Sequence, residues 1–139
     1  MSTPVRADEW RYLRGGLLAV AALVAAALLG WGIESARYVD RAFAETRRCL
    51  VDEKGAPVQP TRDPVARSAD LGALDTVIET NRVTVSVSSN ADRAERVVSA
   101  YRSVGGELGR RLELRGRTVY LWERPPSPTQ RQALFDCTY

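Results

Sequence analysis

Histidine is absent from this 139-residue chain, and lysine occurs once, at Lys54. The first absence removes both the commonest general base and the commonest metal ligand. The single lysine sits just before Gly55 and Pro57, in a loop unsuited to a desolvated nucleophile. Ser86, Ser88 and Ser89 have no imidazole to activate them. The two cysteines, Cys49 and Cys137, lack the spacing of a redox motif, and two thiols without histidine make a poor zinc site. No glycine-rich phosphate loop or dinucleotide fingerprint is present. These gaps point to a non-enzymatic chain with no catalytic residues, no cofactor and no bound metal. One acid–base option survives. Asp75 and Glu79 stand four residues apart and share a face if the segment is helical, although a solvated charged face is the simpler reading.

Charge of one sign is also scarce. The net charge is +3, and the stretch after residue 33 carries 17 basic and 15 acidic residues. A duplex nucleic-acid binder needs a stronger, clustered excess, so nucleic acid is not an expected partner. Nearly all the cations are arginine and alanine is abundant, a bias common in GC-rich bacterial genomes.

What the chain does have is a long apolar run. Residues 15–33, from Gly15 to Ile33, carry no charge. As an α-helix they span about 28 Å, close to the hydrocarbon thickness of a bilayer. Trp10 and Tyr12 precede the run, and Trp31 and Tyr38 lie at or beyond its other end, as an aromatic belt at each interface requires. The expectation is a short tail over 1–14, one transmembrane helix over 15–33 and a single small domain beyond it. A cleaved signal peptide is the competing reading, with Gly30 and Gly32 as a small-x-small site, but the run exceeds the usual apolar length. Arginines flank both ends, so the positive-inside rule is nearly balanced. The short tail and the cysteines favour a cytoplasmic N-terminus and an outer C-terminal domain. Gly15, Ala19, Ala22, Ala26 and Gly30 form a small-residue stripe on which a second helix can pack.

In an oxidising compartment Cys49 and Cys137 most simply pair with each other. That bond ties the C-terminus to the juxtamembrane segment. The alternatives are free thiols in a cytosolic domain, or pairing between two chains through Cys49.

Along the outer part, residues 34–50 read as a stalk helix with Val39, Ala42, Phe43 and Thr46 on one stripe. Residues 51–70 read as a loop containing Gly55, Pro57, Pro60 and Pro64. Residues 71–139 read as a small α+β domain. Its first element is expected as a short helix from Asp70 or Ser68 to Glu79, ended by Asn81, with a strand as competitor because of Thr76-Val77-Ile78. Then Val83, Val85 and Val87 alternate with polar residues as a strand. Asn90 caps a helix whose apolar face is Ala94, Val97, Val98, Tyr101 and Val104, ended by Gly105-Gly106. Leu112 and Leu114 mark a second strand, and Thr118 to Glu123 a third. That third strand places Val119 and Leu121 on one face and Tyr120 and Trp122 on the other, which needs cover. Ser127, Pro128 and Gln130 open a last helix with a capping box.

The β-α-β-β centre, Val83 to Glu123, resembles the peptidoglycan-binding SPOR domain in element order and in the start of its helix, Asn90 to Arg96. It departs from that family in lacking the Gln-Gly-Phe pattern near the first strand, where Ser-Val-Ser-Ser stands, and in lacking a long second helix. The resemblance implies a wall-polymer ligand. Arg110, Arg111, Arg115 and Arg117 cluster at the second hairpin, where guanidinium groups suit anionic lipid, polymer or protein. A charged strand edge that resists aggregation is the structural counterpart of that reading. Three function classes follow in order: a membrane-anchored accessory or interaction protein of the bacterial cell envelope, a module binding peptidoglycan or another anionic polymer, and an enzyme using carboxylates. The partners expected for the first are the lipid bilayer and a protein partner or second copy, met through the membrane helix or the outer domain.

Overall fold

The computed structural model of the chain describes residues 20, 21, 24, 41–106 and 108–138. The chain divides into two units, Met1–Tyr38 and Val39–Tyr139. Of the first, only Val20, Ala21 and Val24 are described, as α-helical and exposed. The transmembrane helix expected over 15–33 and the Gly15, Ala19, Ala22, Ala26, Gly30 stripe otherwise lie outside the described residues. So do residues 34–40 of the stalk. Among the described residues, no helix is long and apolar enough to cross a membrane.

The second unit is a small α+β domain built on a five-stranded, wholly antiparallel sheet. The strands are β1 (Val58–Pro60), β2 (Gly72–Ile78), β3 (Asn81–Val87), β4 (Leu112–Arg115) and β5 (Thr118–Trp122), in spatial order β1-β2-β3-β5-β4. The helices are α1 (41–48), which runs into a π-helical turn at Cys49–Glu53, α2 (Ala91–Gly105) and α3 (Pro128–Phe135). Because β3 and β4 each run antiparallel to β5, they are parallel to each other. The crossover through α2 therefore spans a gap that β5 fills.

The central motif forms for the reasons its residues suggest. In β3, Val83, Val85 and Val87 are buried on one face. Asn90 caps α2 by accepting from the Arg93 amide at 2.9 Å, and Gly106, at φ +64, lets the chain leave the helix. Ser127 and Gln130 make the reciprocal capping box of α3 with Pro128 in its first turn.

Two expectations are corrected. Residues 72–78 are strand β2, not a helix from 70 to 79. Leu74, Thr76 and Ile78 are the buried positions, a period of two, and seven residue pairs with β3 hold the register. Asn81 accordingly opens β3 instead of ending a helix. Its buried amide donates to the Arg124 carbonyl and accepts from the Arg124 amide. The segment 51–70 also carries more structure than a loop. It supplies edge strand β1 and a 3-10 turn at Ala66–Ser68, so the compact unit begins at Val39 rather than at residue 71.

The sheet has two cores. One face carries Leu74, Ile78, Val83, Val85, Val87, Tyr120 and Trp122, covered by Leu50 of the π-turn, Leu134 of α3 and Cys137, with Phe43 and Phe135 packed alongside. The stalk and the final helix thus supply the cover that Tyr120 and Trp122 need. The other face carries Val119, Ala73, Leu112 and Leu121 beneath Ala94, Val97, Val98 and Tyr101 of α2. Gly72 lets the first face close. Its φ is +142°, and a Cβ there would stand 2.9 Å from the Phe43 ring.

Candidate functional site

Cys49 ends the stalk and Cys137 follows α3. They lie at disulfide distance, with Cα atoms 5.4 Å apart and 88 residues between them in sequence. Beside them Lys54 donates to Asp136 at 2.9 Å, an ion pair at the same junction. That bond, with a second from Gln132, holds the exposed Asp136 carboxyl below its usual range. The only lysine of the chain therefore serves to close the domain. Further along α3, Glu113 of β4 accepts from the Trp122 indole and pairs with Arg131 at 2.6 Å. Tyr120 shares a short hydrogen bond with Thr138, and its ring meets Phe135 at 5.3 Å. Burial raises the Tyr120 phenol above its ordinary value.

The hairpin arginines do not form one free cluster. Arg111 donates through Nε to the Trp122 carbonyl at 2.9 Å. Arg115 lies over the Phe135 ring, 4.5 Å from its centroid, a cation–π contact. Arg117 is half-buried and engaged, and Arg110 is exposed. Arg115 thus rests on the final helix while staying exposed, and Arg111 holds the end of β5. The other sequence candidates scatter as well. Asp75 accepts from the Thr84 hydroxyl at 2.7 Å on β3, whereas Glu79 occupies the β2–β3 turn at φ +56 and accepts from Gln130. Ser86 and Ser88 are buried, and the Ser89 amide donates to Asp70. Burial works to raise Asp70, but its bonds from Ser89 and the Arg93 charge outweigh that and lower it. Among the described residues, no group of acidic and cysteine side chains is arranged to hold a metal ion.

A site that sequence reasoning missed lies on the α2 side of the sheet, where α2 leaves the β1–β2–β3 end open. A groove of about 630 Å³ is lined by Gln59, Pro60, Thr61, Arg62, Asp75 and Arg82. Its floor is strand: Asp75 from β2 and Arg82 from β3. Its wall is β1 and the loop after it. That loop is fixed by its own polar groups. Thr61 Oγ1 accepts from the Asp63 amide, and Asp63 Oδ1 accepts from the Val65 and Ala66 amides. Asp63 Oδ2 accepts from the Tyr101 hydroxyl of α2 at 2.9 Å. Burial, and then the Asp63 carboxylate, hold the Tyr101 phenol well above its ordinary range, so it stays a donor. No spacing rule joins residues 59–62 with 75 and 82. The one sequence signal was Thr61-Arg62-Asp63-Pro64, a turn-forming stretch flanked by prolines.

Comparison with protein-family models, with curated proteins and with solved structures finds no match.

Proposed function

We propose that the chain is a single-pass membrane-anchored, non-enzymatic accessory or interaction protein of the bacterial cell envelope. In this reading the N-terminus is cytoplasmic and the domain stands outside. The observation that carries the proposal is the pairing of Cys49 with Cys137. A protein disulfide persists in an oxidising compartment. Here it fastens the far end of the domain to the segment that follows the uncharged run of residues 15–33. A domain that follows such a run closely in sequence suits a partner that is itself in the membrane or at its surface. Fractionation with alkaline carbonate, followed by purification in mild detergent, tests this. The expected result is retention in the membrane pellet and co-purification of a stoichiometric partner or second copy. Release into the aqueous fraction, or a monomer with no stable partner, contradicts it.

The polymer-binding alternative drew on the arginine hairpin. Of that hairpin, Arg111 is bonded to the Trp122 carbonyl and Arg115 rests on the Phe135 ring, while Arg110 and Arg115 remain exposed.

A further inference from the structure

We infer that the groove between β1, the Thr61–Asp63 turn and the β2–β3 floor binds an acidic peptide segment, with Arg62 and Arg82 taking its carboxylates. The inference is independent of the membrane anchor. Three observations carry it. First, the groove is lined by polar side chains except for Pro60, and none of its lining residues comes from α2. Second, neither Arg62 nor Arg82 makes a side-chain hydrogen bond or ion pair with any described residue. Other exposed arginines, Arg67, Arg96, Arg102 and Arg110 among them, are likewise without such a bond, but Arg62 and Arg82 are the two that line this groove. Each of the two groove guanidinium groups therefore presents its full fork of donors, the geometry that matches a carboxylate. Third, both are placed in advance. Arg82 sits on a central strand, and Arg62 sits in a turn that Asp63 ties to Tyr101. Binding then orders the two exposed side chains but not the backbone that carries them.

Asp75 decides which anion fits. An acidic side chain in the floor disfavours a densely charged phosphate chain. Already holding Thr84, it has further acceptor capacity for a peptide N–H. Gln59 beside it can donate to or accept from a peptide group. A carboxylate-bearing peptide satisfies both signs in the groove, whereas a polyphosphate satisfies one.

The test uses the full chain in non-ionic detergent and titration calorimetry with two probes, a short oligo-glutamate peptide and inorganic tripolyphosphate. The expected result is saturable binding of the peptide that weakens with added salt and exceeds that of tripolyphosphate. The Arg62→Gln/Arg82→Gln double variant should bind about tenfold more weakly or less, while Arg110→Gln stays at the wild-type value. Asp75→Asn should narrow the preference for peptide over tripolyphosphate. Tyr101→Phe should weaken peptide binding in the wild-type background and have no further effect once Arg62 is glutamine. A general loss of stability would not produce that pattern. Circular dichroism confirms that each variant is folded before titration. No saturable heat with the peptide, a preference for tripolyphosphate, or equal binding by the double variant overturns the inference.

Discussion

The two faces of the sheet are held by different means. The stalk-side face buries the largest side chains, Trp122 and Tyr120, under segments drawn from opposite ends of the domain, α1 with its π-turn and α3. Those covering pieces are more than 70 residues apart in sequence, and the cysteine pair joins them. The α2-side face is covered by a helix that follows β3 directly, through smaller residues, Ala94, Val97 and Val98. It is finished by a polar link, Tyr101 to Asp63. Closing a long loop costs more chain entropy than closing a short one, so the distant cover carries the crosslink and the local cover does without. The less completely covered face is also the one that keeps an open groove.

The comparison can be broken most severely at the crosslink. Cys49→Ser or Cys137→Ser should lower stability by about 4–5 kcal/mol on the chain-entropy account, read from urea unfolding of the full chain in detergent. Hydrogen exchange should then show the Leu50 and Leu134 amides losing protection before those of Val97 and Val98. Next comes truncation of the two cores. Trp122→Ala should cost about 3–5 kcal/mol, and Val98→Ala about 1–2 kcal/mol, because the removed volume and the cavity left behind are both smaller. Equal losses would erase the distinction between the faces. Gly72→Ala tests the entry of Phe43. An added Cβ meets the ring at 2.9 Å on a backbone that L-residues rarely adopt, so a loss of about 1–3 kcal/mol is expected. Trimming Phe43 to leucine in the same chain should recover part of it.

The smallest effect lies on the α2 side. Tyr101→Phe removes a hydrogen bond to a charged group and should cost about 1–2 kcal/mol at neutral pH by thermal unfolding. The sign of its pH dependence follows from the raised phenol. The folded state prefers the protonated tyrosine, so its contribution is complete below the ordinary tyrosine range, near pH 10. It is lost as the pH rises through the higher folded value. The phenylalanine variant should therefore lose less stability than wild type on going into strong alkali. Tyr120, also raised, leaves a residual loss that belongs to the other face.

The central motif was legible because its periodicities are clean: valines at every second position in β3, apolar residues at helical spacing in α2 as far as Tyr101, and caps at both helix starts; Val104, expected on the same apolar face, is exposed. The cysteine pair was legible because there was no third cysteine to compete. Strand β2 was ambiguous for a physical reason. Leu74, Val77 and Ile78 satisfy helical spacing, while Leu74, Thr76 and Ile78 satisfy strand spacing. Only the β1 and β3 partners decide between them, by pairing along its length. Strand β1 is three residues with a proline and has no pattern of its own. The contact of Gly72 with Phe43 joins residues 29 positions apart and leaves no local trace. The arginines teach the converse. Arg110, Arg111, Arg115 and Arg117 drew attention by adjacency, yet Arg111 and Arg115 each have a partner within the domain. Arg62 and Arg82, with no such partners, are brought together only by the sheet.

Labelling of thiols in intact cells with a membrane-impermeant maleimide, before and after reduction, addresses the central claim most directly. The account predicts no labelling of the native chain, and labelling of both Cys49 and Cys137 from outside the cell membrane once the bond is reduced. Cysteines that react without reductant, or that become reactive only after the membrane is broken, would contradict it.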